Sequence, residues 1–359
     1  ADISAAQAAV QRLQEALHMP VDVDGISIAL DASIGLAWYP EHGDDVDTLL
    51  QRADVAMYRA TEGHHPLVVY RSEDDYHSPE RLGLAADLRH ALASDELVLH
   101  YQPQVELGQG QPVAAEGLVR WHHPQRGLLG PLEFIEVAER TGVIKDLTYR
   151  VLDLGLRDLR SWTEQGRKLS LSLNISVRSL LDRRFPEEVA DLLAEHGVDG
   201  HALTLELTES SLMVDPELAK RTMRQLAELG VSVAIDDFGT GYSSLAYLTD
   251  LPIGELKIDK SFVRAMSSDS RNAIVVRSTI ELAHNLGLRT VAEGIEDAFT
   301  FERLRALGCE LAQGFHMSKP LPANGLVRWW DVHAAAQQPA APPAQQPAGA
   351  IIVPQLSVA

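Results

Sequence analysis

The chain of 359 residues carries 51 Asp and Glu against 31 Lys and Arg, for a formal net charge of −20, and 45% of its residues are hydrophobic. This charge argues against nucleic-acid binding, because a phosphate backbone would be repelled. No apolar run approaches the roughly 20 residues of a membrane span. The single cysteine, Cys309, rules out an internal disulfide and fits a reducing compartment. We expect a cytoplasmic chain without a membrane segment, which is compatible with an anchor upstream of residue 1.

Residues 1–73 alternate helical and strand-like patterns. Apolar residues at helical spacing predict helices in AAQAAVQRLQEAL and DDVDTLLQRADVAMYRA, and the intervening ISIALDASIGLAWYP is strand-like. The polar segment at 74–79, which contains DDYHSP, interrupts both patterns and predicts a linker. We therefore expect a small α/β region followed by a joint.

Residues 80–330 repeat one theme, a short apolar strand followed by a helical stretch. The predicted strands are LVLHYQP, PVAAEGLVRW, LSLNIS, LTLELTE, VSVAIDD, GELKID, LRTVAEG and CELAQGF. So many alternating units over about 250 residues favour a closed (β/α)8 TIM-type barrel over an open sheet. Residues 331–359 are rich in Ala, Pro and Gln, which predicts a flexible tail.

Polar side chains collect where these strands end, which is where a (β/α)8 barrel places its active site. One such residue carries little information, because strand ends at a surface are often polar. Together they indicate a site on one mouth of the barrel. The candidates are Glu116, Arg120, Asn174, Glu206, Glu209, Asp236, Asp237, Lys257, Asp259, Glu293 and Gln313.

The adjacent Asp236 and Asp237 follow an apolar run and precede the glycine-containing FGTGYSS. Clustered carboxylates repel one another unless protons or metal ions neutralise them. Oxygen ligands without partnering Cys or His-x-x-x-His spacing favour Mg²⁺ or Mn²⁺ over Zn²⁺. Two such ions about 4 Å apart suit in-line attack of water on a phosphate ester. The strict alternation of side chains loosens at a strand end, so Asp236 can serve both ions and Asp237 one of them.

Seven segments, taken in order, resemble one known family. They are EGLVRWHHP, NISVRSL, ELTES, IDDFGTGYSSLAYL, LKIDKSF, TVAEGIE and QGFHMSKPLP. Over about residues 80–330 the chain resembles the EAL domain, a cyclic-di-GMP phosphodiesterase of bacterial signalling. The resemblance implies a (β/α)8 barrel with one antiparallel strand. It also implies hydrolysis of cyclic-di-GMP to linear 5′-pGpG with two Mg²⁺ or Mn²⁺ ions, and a homodimer formed through this domain.

The resemblance further implies how the ligands are shared between the two ions. The first ion would be held by Glu116, Asn174, Glu206 and Asp236. The second would be held by Asp236, Asp237 and Glu293, and Glu293 has the alternative role of general base. Ca²⁺ should support binding but little hydrolysis, because its looser coordination geometry places the water poorly.

The remaining candidates receive catalytic or substrate-binding roles from the same resemblance. Lys257 would orient and activate the water, with Gln313 close by. Arg120 would contact a substrate phosphate, and Gln104 in YQPQ would belong to the nucleotide pocket. Two carboxylates have supporting roles: Glu209 would anchor the DFGTGYSS loop, and Asp259 would orient Lys257 or ligate weakly.

The first region has a resemblance of its own. DASIGLAWYPEHGDDVDTLLQRADVAMYRA looks like the C-terminal half of a GGDEF domain, the diguanylate cyclase fold. The signature GGDEF loop is not in the sequence, so we expect no cyclase activity from this chain.

One position departs from the EAL motif, because Gly117 stands where the family has alanine. Glycine weakens a strand by about 0.5–1 kcal/mol, which would adjust the rate or affinity, or it would misplace Glu116 and weaken the first metal site. The competing function is a silent cyclic-di-GMP receptor, which would tolerate lost ligands. Since every ligand is kept, the enzyme is favoured. A third hypothesis is a two-metal hydrolase for another phosphodiester, against which Gln104 and Arg120 argue mildly.

Overall fold

A computed structural model describes residues 9–10, 12–13, 21–23, 26–28, 32–62, 66–71, 79–209, 214–240 and 248–336. The chain divides into two compact units. The first comprises Ala1–Glu96 with His123–Ile144, and the second comprises Leu97–His122 with Lys145–Ala359. Most of the predicted first helix and of the linker, the loop residues 241–247 and the predicted tail beyond residue 336 lie outside the described residues.

Strands and helices are numbered here in chain order. The strands are β1 (Val21–Val23), β2 (Ile26–Ile28), β3 (Ile34–Leu36), β4 (Leu67–Val69), β5 (Leu97–Glu106), β6 (Pro112–His123), β7 (Gly127–Leu129), β8 (Ser170–Asn174), β9 (Leu203–Thr208), β10 (Ser232–Phe238), β11 (Glu255–Ile258), β12 (Arg289–Ala292), β13 (Leu311–Gln313) and β14 (Leu321–Pro322). The helices are α1 (Val46–Glu62), α2 (Pro79–Leu92), α3 (Pro131–Thr141), α4 (Ile144–Glu164), α5 (Val177–Leu180), α6 (Phe185–His196), α7 (Pro216–Glu228), α8 (Lys260–Ala265), α9 (Ser270–Asn285), α10 (Ala298–Ala306) and α11 (Ala323–Ala336).

The first unit contains a small parallel sheet with its crossover helix. Strands β3 and β4 pair in parallel, and α1 connects them. Helix α1 begins after Asp45, whose carboxylate accepts a hydrogen bond from the Thr48 amide at 2.8 Å, which satisfies a free N–H of the first turn. Ala56 and Ala60, one turn apart, form part of its buried face. The helix predicted from DDVDTLLQRADVAMYRA is confirmed.

The second unit is a closed barrel. In the described part of the chain, eight strands follow the order β5-β13-β12-β11-β10-β9-β8-β6, and pairing of β5 with β6 closes the ring. Strand β5 runs antiparallel to both β13 and β6, whereas the other neighbouring pairs are parallel. The predicted (β/α)8 barrel with one antiparallel strand is confirmed.

The barrel strands are buried on both faces. In β9, Leu205 and Leu207 alternate with Glu206, and all three are nearly inaccessible to solvent. Register places Asn174 of β8 beside Glu206, so polar residues line the inside while leucines face outward. Burial on both faces is typical of parallel strands covered by helices. None of the described helices combines the length and the apolar character needed to cross a membrane.

Candidate active site

The strands bring several predicted site residues around one lysine. Lys257 of β11 is fully buried. Among the described residues, its Nζ lies 2.6 Å from Glu206 Oε2, 2.6 Å from Glu293 Oε1, 3.2 Å from Asp236 Oδ1 and 3.7 Å from Glu116 Oε2. Four carboxylates from four other strands or strand ends thus converge on one ammonium group.

The charges in this cluster are mutually dependent. Burial alone would lower the pKa of Lys257, but the surrounding carboxylates raise it well above its ordinary value, so the ammonium stays charged. Burial would raise the pKa of Glu116, yet Lys257 and hydrogen bonds from Gln313 and Asn174 bring it below the usual range. Burial raises the pKa of Glu206 despite the nearby lysine. The inner site therefore holds two carboxyl groups whose pKa values are shifted in opposite directions.

Three carboxylates nearer the surface form a second group. Asp236, Asp237 and Glu293 each offer an oxygen within 4.8 Å of the others, so together they could hold a metal ion. Burial and the adjacent Asp236 carboxylate raise the pKa of Asp237 to about 6. Burial raises the pKa of Glu293 to about 8 against the effect of Lys257. Protons compete with a cation for these oxygens at neutral pH.

The backbone of β10 explains how two successive carboxylates reach one site. Asp237 adopts φ = 53°, a left-handed conformation that few residues other than glycine occupy. The pairing of β10 with β11 shifts register between Ile235 and Phe238. The Asp237 amide donates to Asp236 Oδ1 at 2.9 Å, which stabilises this local turn. Because the strand is irregular here, the side chains of Asp236 and Asp237 do not point to opposite faces as regular strand neighbours would.

A chain of amides fixes Glu116 in place. Asn174 Nδ2 donates to Glu116 Oε1 at 2.6 Å, and Gln313 Nε2 donates to Glu116 Oε2 at 2.5 Å. Gln313 also donates to Gln102 Oε1 at 3.2 Å and accepts from Gln104 Nε2 at 2.8 Å. Gln104 is therefore buried inside this network. Sequence analysis missed Gln102, although its position two residues before Gln104 in YQPQ places both amides on one face of β5.

Three further predicted residues lie around this core. Arg120 is on β6 with Glu116 and donates to its neighbouring Val119 carbonyl at 2.8 Å, and burial lowers the pKa of its guanidinium. Glu209 is buried and accepts from the Gly239 amide at 3.0 Å, which ties it to the start of the glycine-containing loop.

Asp259 ends the β11 segment and begins a helix. Its carboxylate accepts from the Ser261 amide at 2.9 Å and so caps α8. Hydrogen bonds from Ser261 bring the pKa of Asp259 below its usual range, although burial opposes them. The geometry therefore gives this side chain a capping contact, and its role toward Lys257 stays a prediction.

The donor set suits a hard divalent cation. Oε1 of Glu206 is buried and accepts no hydrogen bond from the described residues. A buried carboxylate oxygen without a donor is costly unless a cation or a proton satisfies it. The surrounding donors are carboxylate and carboxamide oxygens, which match Mg²⁺ or Mn²⁺ rather than soft metals. The residues present therefore fit the metal ions that the resemblance implies.

Comparison with known families agrees with this geometry. Residues 85–320 match the EAL domain family, and residues 1–65 match the diguanylate cyclase, GGDEF domain family. The chain belongs to the EAL-domain family. The resemblance drawn from the seven sequence segments is confirmed.

Curated relatives match this chain over part of their own length. The bifunctional diguanylate cyclase/cyclic di-GMP phosphodiesterase MucR of Pseudomonas aeruginosa is 38% identical over 319 residues, covering 88% of this chain and 47% of MucR. The cyclic di-GMP phosphodiesterase PdeR of Escherichia coli is 38% identical over 329 residues, covering 91% of this chain and 50% of PdeR. This chain therefore spans about half of the length of these relatives.

Solved structures share the fold. The PaMucR phosphodiesterase in its c-di-GMP complex is 41% identical, with a TM-score of 0.66 over 68% of this chain and 99% of that one. The EAL enzyme Bd1971, with cAMP and cyclic-di-GMP bound, is 32% identical, with a TM-score of 0.68 over 81% of this chain and 77% of that one.

Proposed function

We propose that this chain hydrolyses cyclic-di-GMP to linear 5′-pGpG at a site that holds two Mg²⁺ or Mn²⁺ ions. The main support is that four of the predicted ligands converge on Lys257. In addition, a buried oxygen of Glu206 accepts no hydrogen bond from the described residues. The c-di-GMP complex of PaMucR supports the choice of substrate, because the aligned chains are 41% identical.

The proposed ligand sets follow the two groups of carboxylates. Glu116, Asn174 and Glu206 would hold one ion on the Lys257 side, with Asp236 shared between the ions. Asp237 and Glu293 would complete the second set, for which the oxygens lie within 4.8 Å of one another. When bound, the ions would supply an activated water molecule and would neutralise the charge on the phosphate.

The chain's own residues then orient the substrate and handle the proton. Arg120 offers a guanidinium to the phosphate. In its alternative role Glu293 does not ligate the second ion; its ionised form, which becomes more abundant as pH rises toward its pKa of about 8, takes up the proton that water loses as its oxygen attacks phosphorus. The P–O3′ bond breaks, and the 3′ oxygen takes up a proton to become the free hydroxyl of pGpG. Lys257, 2.6 Å from Glu293, stabilises the negative charge that develops nearby.

The experiment is turnover of cyclic-di-GMP by the purified chain with Mg²⁺ or Mn²⁺, beside a binding titration in Ca²⁺. We expect pGpG to form, formation to stop with EDTA, and Ca²⁺ to support binding with little hydrolysis. Competition with simpler phosphodiesters tests the substrate, since excess bis(p-nitrophenyl) phosphate should leave the rate unchanged.

Tight binding in Ca²⁺ without product in Mg²⁺ or Mn²⁺ would contradict the enzyme and leave a receptor. Strong inhibition of cyclic-di-GMP turnover by bis(p-nitrophenyl) phosphate would point to a general phosphodiesterase.

We also propose 80–330 as the catalytic domain and dimerisation through it, which analytical ultracentrifugation of this chain would test.

A further inference from the structure

The residue after Glu116 is a glycine, and a neighbouring strand fills the space beside it. Gly117 of β6 lies opposite Leu173 of β8 in the ladder. A Cβ built on Gly117 would lie 2.5 Å from Leu173 Cδ2 and 3.4 Å from Tyr101 Cε1. Leu173 is fully buried, so its methyl group occupies the volume that an alanine at position 117 would need.

Leu173 is also confined from the helix side. Gly155 of α4 faces the same leucine, and a Cβ built there would lie 2.8 Å from Leu173 Cδ1 and 3.0 Å from Leu171 Cδ2. Glycine is a poor residue for a helix interior, so its presence here reflects the close approach of α4 to β8. The leucine therefore fits between two glycines.

Helix α4 cannot easily retreat from these strands, because Tyr101 of β5 fixes it. The Tyr101 hydroxyl donates to Asp158 Oδ2 at 2.6 Å. Its ring meets that of Trp162 edge-on, with centroids 4.7 Å apart. Asp158 and Trp162 both lie on α4, one and two turns beyond Gly155. Rotation of the Leu173 side chain is opposed by its packing against α4, so space for a larger residue at position 117 comes mainly from movement of β6 relative to β8.

The same two strands carry a pair of site residues on their inner face. Glu116 precedes Gly117, Asn174 follows Leu173, and Asn174 Nδ2 donates to Glu116 Oε1 at 2.6 Å. Because side chains alternate along a strand, the outer packing pair and the inner polar pair lie on opposite faces of one ladder. A change in spacing on the outer face is therefore transmitted to Glu116 and Asn174.

We propose that Gly117 and Leu173 are matched positioning residues, in which the leucine fills the volume of the missing Cβ and so sets the spacing between Glu116 and Asn174. This inference rests on the proposed function, which assigns those two side chains to the metal site. It opposes the hypothesis that glycine loosens the motif. In this chain, the alanine of the family motif is the disruptive residue.

The size of the effect follows from the contact distances. Ordinary contacts of a Cβ lie at 3.4–4 Å, against 2.5 Å for the Cβ built at position 117. The difference is on the order of 1 Å, and a displacement of that size in a preorganised site can lower turnover by about 10²-fold. Replacing Leu173 by valine, which has one carbon fewer and no δ carbons, would release this contact.

The experiment compares four chains: native, Gly117→Ala, Leu173→Val and the double variant. Each is measured for Mn²⁺ affinity by calorimetry, for kcat and KM with cyclic-di-GMP, and for denaturant unfolding. We expect Gly117→Ala to weaken Mn²⁺ binding and to lower kcat by about 10- to 100-fold, with KM changed less. The double variant should recover to within about threefold, because the exchange conserves core volume.

Two controls separate positioning from stability. Leu173→Val alone should lower stability, since it leaves a small cavity, and should weaken Mn²⁺ binding less than Gly117→Ala does, because a cavity forces no displacement of β6. Gly108→Ala, at a glycine whose Cβ would meet nothing within 4 Å, should leave all readouts unchanged.

Native Mn²⁺ affinity in Gly117→Ala, or a double variant no better than Gly117→Ala, would overturn the proposal. If Gly117→Ala does not fold, the double variant decides: a folded, Mn²⁺-binding protein supports the pair, and an unfolded one overturns it. Should the native chain hydrolyse no cyclic-di-GMP, the proposed function fails, and the Mn²⁺ measurements alone support or overturn the pair.

Discussion

Glu116 and Glu293 both lie close to Lys257, but their pKa values are shifted in opposite directions. Glu293 is the nearer, with Oε1 at 2.6 Å from Lys257 Nζ, whereas Glu116 Oε2 is at 3.7 Å. Yet the pKa of Glu293 is raised to about 8, mainly by burial, while that of Glu116 lies below its usual range.

Hydrogen bonding is one cause of this difference. Both oxygens of Glu116 accept from amides, one from Asn174 and the other from Gln313. Such donors stabilise the charged form of a buried carboxylate, whereas a shared cation must serve several anions at once. Burial raises and Lys257 lowers the pKa of both carboxylates, so the difference arises from the amide donors around Glu116 and from the Asp236 and Glu116 carboxylates that raise the pKa of Glu293.

Replacing the shared cation tests this comparison most severely. Lys257→Met should lower kcat by about 10²- to 10³-fold, because the developing charge loses its nearest cation. Binding of cyclic-di-GMP in Ca²⁺ should change much less, since the proposed role lies in the reaction step. Single-turnover hydrolysis and a binding titration check both expectations. Lys260→Met, at an exposed lysine three residues later, is the matched control and should keep native turnover. Equal losses of turnover and affinity in Lys257→Met would contradict a role of Lys257 in the reaction step.

Neutralising the two carboxylates in turn is expected to have unequal effects on metal binding. Glu116→Gln removes a ligand that is already charged at pH 7 and should weaken Mn²⁺ binding by about 10²-fold. Glu293→Gln resembles the protonated state that the native residue occupies at that pH, so the loss should be about tenfold or less. Calorimetry with Mn²⁺ measures both. Similar losses in the two variants would show that Glu293 is charged in the metal-free site.

The raised pKa values predict a pH dependence with a definite sign. Below the pKa of about 8 for Glu293 and about 6 for Asp237, protons occupy oxygens that a cation needs. Mn²⁺ affinity should therefore fall as pH falls from 8 to 6, by up to about tenfold per pH unit for each proton displaced. Titrations in two buffers with different ionisation enthalpies count the protons released. Glu293→Gln should flatten the upper part of the curve; an unchanged slope would assign the protons elsewhere.

The smallest expected effect concerns the outer end of the amide chain. Gln102→Met removes the acceptor for Gln313 Nε2 and the donor to the Ser318 carbonyl. The free energy of unfolding should fall by about 1 kcal/mol, as for the loss of buried neutral hydrogen bonds. Turnover should fall only severalfold, because Gln313 keeps its bond to Glu116. Denaturant unfolding and kcat check this, and a loss as large as that of Glu116→Gln would mean that Gln102 contacts the substrate.

Much of the architecture was predictable because it depends on local patterns. Apolar strands of the right length alternate with helical segments, and each predicted barrel strand is confirmed. The position of Glu116 is less simple, since β6 runs to His123 and pairs with β5 as far as Trp121. Its parallel pairing with β8, however, is recorded only from Ala114 to Gly117. Glu116 thus lies near the end of the parallel ladder without ending the strand.

Other features of the site depend on contacts that no local pattern encodes. The left-handed Asp237 and the register shift beside it arise where β10 meets β11. The role of Gln102 emerges only when β13 brings Gln313 beside it. The fit of Leu173 between Gly117 and Gly155 joins three separate elements. A single sequence shows the two glycines but not the side chain that makes them necessary.

The antiparallel strand β5 has a consequence for the order of events during synthesis. It pairs with β6 directly after it, but its other partner is β13, and Gln104 and Gln313 are 209 positions apart. A growing polypeptide can form that early hairpin at once, whereas the ring closes only after β13 has left the ribosome. Gln313 also completes the hold on Glu116. Catalytic competence should therefore arise late and abruptly, so a nascent chain stalled before residue 311 would release no pGpG.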